Sequence, residues 1–218
     1  MEFKELSPKQ KAQYIWDYYK IHIIAFIAIL GIAVWAVNHF IIHPEPTVCC
    51  GIAVYGPHID IDTADAMEQI ITSNITSPEE NLKAEISNFF FTEGSGSEDQ
   101  IQDKDMLDKF YTYLYAMQLD IFIGNEEDTQ ACVKADFLST VDEYITPEQK
   151  VEFEKDGRLL YGKDSDDEEE LPYAVRINDP PLFKSLDILK DDTYYISFVP
   201  IEGREEKTKK AGQLFLGD

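Results

Sequence analysis

The sequence predicts an α/β fold in which an N-terminal transmembrane helix precedes a mostly parallel sheet with covering helices. Three observations lead there. Residues Ile21 to Ile42 form an apolar run that holds no Lys, Arg, Asp or Glu. Beyond it, apolar runs of strand type alternate with stretches of helical period in the order β-α-β-α-β-α, which builds parallel sheets through crossover helices. A hydrophobic content of 44% with 12% aromatic residues is that of a chain with a core to bury.

The apolar run divides the chain into a tail (1–20), a membrane span (21–42) and an outer α/β domain (43–218). As a helix the run is about 33 Å long at 1.5 Å per residue, enough for a hydrocarbon core of about 30 Å. Trp16 and Tyr19 before it and Trp35 in its outer third are placed to anchor at the two interfaces, with Lys20 reaching the headgroups. A soluble core helix needs no uncharged run of this length. A cleaved signal peptide would need a small-x-small site, and Asn38 to Pro44 offers none. The run therefore reads as an uncleaved signal anchor. Lys4, Lys9, Lys11 and Lys20 precede it, and the next basic residue is Lys83. By the positive-inside rule the tail is cytoplasmic and the domain extracytoplasmic, in a single-pass protein of the cell membrane.

The chain carries 42 acidic and 19 basic residues, a net charge of −23. That sign excludes nucleic acid as a partner, since phosphate binding needs clustered Lys and Arg. It suits a soluble surface and an affinity for cations. Of the three cysteines, Cys49 and Cys50 are neighbours on an expected strand, where alternation sends their side chains to opposite faces. Cys132 is then either a small core residue or a disulfide partner of one of them.

Each element has its own signal. In the tail, Ser7, Pro8 and Gln10 mark a helix start, and Ala12, Ile15, Trp16 and Tyr19 share a face of an amphipathic helix running into the span. Thr47 to Tyr55 (TVCCGIAVY) reads as a buried strand closed by Gly56-Pro57. Asp60 or Asp62 then caps a helix with Ala64, Met67, Ile70 and Ile71 inward. Lys83 to Thr92 is the second strand. After a Gly-Ser loop at 94–97, a helix carries Leu107, Phe110, Leu114 and Met117 on one stripe. Leu119 to Gly124 is the third strand, and Glu126 to Lys134 the next helix. Thr146 to Lys155 is helical, with Pro147 in its first turn. Arg158–Tyr161 and Pro172–Ile177 are strands flanking the acidic run Asp164–Glu170. Pro180-Pro181 precedes a short helix, Thr193–Val199 is a strand, and Glu205–Phe215 a closing helix with Ala211, Leu214 and Phe215 inward.

The stretch Leu119 to Thr146 (LDIFIGNEEDTQACVKADFLSTVDEYIT) resembles extracytoplasmic solute-binding proteins. Asp120-Ile121, Gly124, Phe137-Leu138 and Val141-Asp142 match that family's pattern in kind, with Ala135-Asp136 where a Gly is usual. Pro172 to Val175 is similar to its following strand. The resemblance implies a reduced, periplasmic-binding-protein-like domain. The segment SPKQKAQYIWDYYKIHII is similar to the anchor of uncharacterised bacterial single-pass membrane proteins.

No P-loop, G-x-G-x-x-G, G-x-S-x-G, H-E-x-x-H or C-x-x-C pattern is present. No catalytic residue, metal ligand or cofactor is expected. His39 and His43 are four apart, but Pro44 ends the helix there. The acidic run lacks the spaced ligands of a calcium loop and reads as a solvated hairpin. If the domain binds a ligand, the carboxyl ends of its parallel strands are the place. Those ends are Tyr55-Gly56, Thr92 and Gly124-Asn125, where the helix opening at Asn125 would offer N–H groups to an anionic or polar group. The function expected is non-enzymatic: binding of a small polar solute, or service as an accessory or sensor subunit beside another envelope protein. The alternative is an envelope hydrolase working through paired carboxylates such as Asp120 and Glu126.

Overall fold

The computed structural model describes residues 7–42, 44–56, 58–90, 97–164, 169–177 and 193–217. They fall into two units that meet between Pro46 and Thr47. The first is one continuous helix, α1 (Pro8–Val37), extended by a π-helical turn at Asn38–Ile42. Its first bond runs from the Lys11 N–H to the Ser7 carbonyl at 2.9 Å, so the helix starts where the Ser-Pro signal puts it. No break separates tail from span. Residues Trp16–Ile42 are long and apolar enough to cross a membrane. In the last turns the rings of Trp35 and His39 stack at 5.3 Å.

The second unit is organised by β1 (Thr47–Gly56), whose residues Cys49 to Val54 are all buried. It has two parallel neighbours, β2 (Leu82–Phe90) and β3 (Ile121–Gly124). The remaining strands, β4 (Leu159–Gly162), β5 (Leu171–Arg176) and β6 (Tyr195–Phe198), complete a six-stranded sheet in the order β2-β1-β3-β6-β5-β4. The pairings β3–β6, β5–β6 and β4–β5 are antiparallel. The sheet is thus mixed rather than mostly parallel. The first three strands are joined through helices and run together. After β3 the chain passes to the far edge, turns back in the β4–β5 hairpin, and inserts β6 between β5 and β3.

Helices cover both faces. Helices α2 (Ile61–Ile75) and α6 (Glu205–Leu216) pack with α5 (Pro147–Lys155) over Cys50, Ile52, Val54, Ile121, Ile123 and Ile196, through Met67, Ile71, Phe153, Ala211 and Phe215. On the other face, α3 (Ser97–Tyr115) and α4 (Glu126–Lys134) cover Ala53, Phe89 and Phe122 with Phe110, Leu114, Cys132 and Val133. The strand alternation Ile121/Phe122/Ile123 divides β3 between the two cores.

The cysteines depart from strict alternation. The β1–β2 register shifts between Val48 and Cys50, a bulge that turns Cys49 to the same face as Cys50. Cys132 belongs to the opposite core, and all three thiols are free and buried. The sheet itself stands between Cys132 and any partner.

Both sheet edges are blunted from helices. Thr72 and Glu68 of α2 accept bonds from the N–H groups of Ala84 and Ile86 on β2, at 2.9 and 2.8 Å. Gln130 of α4 donates to the Tyr161 carbonyl of β4 at 2.7 Å.

Met117, expected on the buried stripe of α3, is instead 66% exposed. The helix has already closed. Gln118 N–H reaches back to the Tyr113 carbonyl and Met117 N–H to that of Leu114, which places Met117 at the left-handed position, φ 54°. Helix α4 closes the same way on Asp136 (φ 59°) and α5 on Gly157 (φ 63°). Only the third uses the residue that adopts this conformation without cost. Met117→Gly is therefore expected to stabilise the protein by about 1 kcal/mol. Denaturant unfolding checks it, and a destabilised variant would show that Met117 contributes packing that its exposure hides.

Candidate functional site

The candidate ligand residues that the structure describes gather at the carboxyl ends of the interior strands β1 and β3. Val54 of β1 pairs with Ile123 of β3, so Tyr55 and Gly56 end beside Gly124 and Asn125. Thr92 lies outside the described residues. Gly56 leaves the strand at φ 111°, a conformation that favours glycine. A side chain on Gly124 would meet the Phe122 ring at 2.6 Å, so glycine there lets that ring fold beneath the strand end.

Asn125 caps α4: its side-chain oxygen accepts from the Asp128 N–H at 2.9 Å, and its carbonyl takes the Thr129 hydroxyl at 2.6 Å. The first turn that follows is Glu126-Glu127-Asp128. Three carboxylates already meet the positive end of the helix dipole, so this helix start does not suit an anion. Of the anionic or polar group expected there, these carboxylates favour the polar one.

Beside these strand ends lies a cavity of about 50 Å³ between the sheet, α3 and α4. Phe110 and Phe122, both buried, make its floor, and Tyr55, Tyr111 and Phe137 its more exposed walls. Tyr55 meets Phe110 at 5.2 Å and Phe122 at 5.7 Å, and Tyr111 meets Phe137 at 6.0 Å. The one charged group is Asp128, half-buried. Burial raises its pKa, the neighbouring Glu127 adds to the rise, and a bond with Asn125 opposes it. The sequence marked Tyr55 but read Phe110 as core alone and passed over Asp128. The signal was the adjacent pair Phe110-Tyr111, which sets one ring inward and one at the surface.

Two larger hollows are differently made. One of about 490 Å³ runs along the outer edge of β2, where Thr72 and Glu80 are already bonded to Ala84, Ser77 and Lys207. The other, about 400 Å³, lies near Gly51 and includes Arg204. That guanidinium is spent on structure: it pairs with Asp120 at 2.6 Å and donates to the carbonyls of Met117 and Cys49.

Asp120 is fully buried and accepts the Gly51 N–H at 2.6 Å, with the Thr208 hydroxyl at 3.4 Å. Burial lifts its pKa to about 6, against the pull of Gly51, Arg204 and Thr208. It stands just before β3, and Glu126 just after it, exposed. Six residues of extended chain separate them by about 20 Å, too far for two carboxyl groups to work on one glycosidic bond. Burial also raises the pKa of all three thiols, that of Cys132 to about 12, which keeps them un-ionised and poor nucleophiles.

Comparison with protein-family models, with curated proteins and with solved structures finds no match to this chain.

Proposed function

We propose that this chain is a single-pass membrane protein whose α/β unit stands on the extracytoplasmic side and works there by binding, without catalysing a reaction. The reading is of a solute-binding or accessory subunit held at the bilayer by α1 and serving another envelope protein. The observation that carries it is the apolar helix Trp16–Ile42, followed after Pro46 by a separate α/β unit. The four lysines before the span, with no Lys or Arg after it until Lys83, support the orientation. The likeness of Leu119–Thr146 to solute-binding proteins supports binding as the mode of action. The gathering of Tyr55, Gly124 and Asn125 at the carboxyl ends of parallel strands supports the place, where open α/β sheets hold their ligands.

The test is to purify the full-length protein from its native membrane in a mild detergent and identify by mass spectrometry what accompanies it. A stoichiometric membrane protein, or a retained small molecule, is expected. Recovery of the bare chain, under conditions where known membrane complexes of the same cells survive, would overturn the reading.

A further inference from the structure

We infer that the aromatic cavity between α3 and α4 recognises a small organic cation, an alkylammonium group held by the ring faces and by the Asp128 carboxylate. The inference rests on the reading of this unit as a binding domain and gives that binding a chemical class.

The walls decide the sign of the ligand. Five rings, Tyr55, Phe110, Tyr111, Phe122 and Phe137, line a space of about 50 Å³. Ring faces carry negative potential, and a cation within about 6 Å of them is attracted, most strongly where water is excluded. Asp128 adds a full negative charge to the same wall. Among the described residues no Lys, Arg or His pairs with it. The nearest lysine on α3 in sequence, Lys109, lies over Phe89 and Tyr113 instead, at 5.8 and 5.6 Å. Glu126 and Glu127 stand in the same helical turn, and the chain as a whole carries −23. A half-buried carboxylate beside aromatic rings, without a counter-charge, is an arrangement that a bound cation would relieve. The raised pKa of Asp128 is the same imbalance seen from the proton's side.

The walls also decide the kind of cation. A single carboxylate among hydrocarbon rings cannot supply the six to eight oxygens a calcium ion takes. An ammonium group bearing methyl or methylene carbons needs one carboxylate and apolar contact, and finds both. Space for one water needs about 10–15 Å³ by the same measure, so 50 Å³ admits an ammonium head of a few heavy atoms. The rest of such a molecule would leave past Tyr111, which is 38% exposed.

The test uses the full chain in a maltoside detergent, free of choline lipids, and isothermal titration with choline, methylammonium and 3,3-dimethyl-1-butanol, the neutral isostere of choline. Saturable binding of at least one ammonium probe is expected, with the alcohol binding at least about tenfold more weakly. Asp128→Asn, which keeps the shape, should weaken ammonium binding by about tenfold or more while melting no lower than the parent. In the parent, binding should fade as pH drops through the Asp128 titration, and in Asp128→Asn it should not. Equal binding of choline and the alcohol, unchanged affinity in Asp128→Asn, or no ammonium binding at millimolar concentration would each overturn the inference. A copurifying partner without ammonium binding would leave the binding reading standing and remove the cation alone. Ammonium binding without any copurifying partner would do the reverse for the accessory role.

Discussion

Gly51→Ala is expected to destabilise the α/β unit by several kcal/mol. Gly51 lies in β1, the strand shared by both parallel pairings, where the chain enters β3 across it. The Asp120 N–H donates to the Gly51 carbonyl at 2.7 Å, and the Gly51 N–H donates back to the Asp120 carboxylate at 2.6 Å. A methyl group on Gly51 would overlap the carbonyl oxygen of Gln118 and stand 2.9 Å from its carbonyl carbon. Backbone on both sides leaves no flexible side chain to give way. Overpacking alone costs about 1–3 kcal/mol. Moving the crossing apart also breaks two hydrogen bonds and strands a buried carboxylate, which adds about 2–4 kcal/mol more. A total of about 3–7 kcal/mol is a large share of the roughly 5–15 kcal/mol that holds a domain. Circular dichroism of the full chain should show the cooperative melt of the sheet lowered by roughly 10 °C or more. Gly31→Ala is the control, since nothing lies within 4 Å of its added methyl. A Gly51→Ala protein melting within about 5 °C of the parent would refute the tight crossing.

Why some of this fold can be read in the sequence and some cannot follows from the range of the forces involved. Local signals carried well. The run TVCCGIAVY became β1 almost to the residue, and Asp60, one of the two caps expected, closes the start of α2 by accepting from the Thr63 N–H. Asn125 opens α4 as expected. The direction of β4, β5 and β6 was not legible. These strands are four to six residues long, and β6 is buried on both faces, so no periodicity separates a parallel from an antiparallel neighbour. The place of β6 beside β3 is a pairing between residues far apart in the chain, Ile123 with Ile196, and no local pattern announces it. The Cys49 bulge is of the same kind: one extra residue, set by register against β2, reverses the expected face.

The candidate site divides in the same way. That Tyr55, Gly124 and Asn125 share the carboxyl end of the sheet followed from the parallel order of β1 and β3 alone. The aromatic wall beside them did not. An open helix N-terminus invites an anion, but the residues filling this one are carboxylates, and the neighbouring wall is built from rings 110, 111 and 137, on two other segments. Reading ligand chemistry from the helix start weighed one wall of the cavity. The other walls come from tertiary packing.

Asp120 sets two physical effects against each other, and its titration decides which wins. An ion pair with Arg204 at 2.6 Å pulls the carboxyl pKa down, and so do the bonds from Gly51 and Thr208. Complete burial pushes it up, because the charged form has lost its water. Burial wins, and the pKa stands at about 6 instead of 3.8. A carboxyl group whose folded pKa is raised binds its proton more tightly in the native state. Its contribution to stability is therefore full below the unfolded pKa and is lost as pH rises through the folded one. Roughly two pKa units at 1.36 kcal/mol each put that loss at about 3 kcal/mol, spread between about pH 4 and pH 6. Asp60, Glu80, Glu205 and Glu206, whose pKa values are lowered, change stability in the opposite sense. They do so equally in a variant that keeps them, so comparison with Asp120→Asn isolates the one group. Denaturant unfolding of both proteins from about pH 4 to pH 7 is expected to show the variant gaining about 3 kcal/mol on the parent as pH rises, with no further change above about pH 7. A constant difference would mean that Asp120 is not perturbed. A gain by the parent would mean that Arg204, not burial, governs the carboxylate, and that the Asp120–Arg204 pair tightens the joint between β1, β3 and α6 at neutral pH.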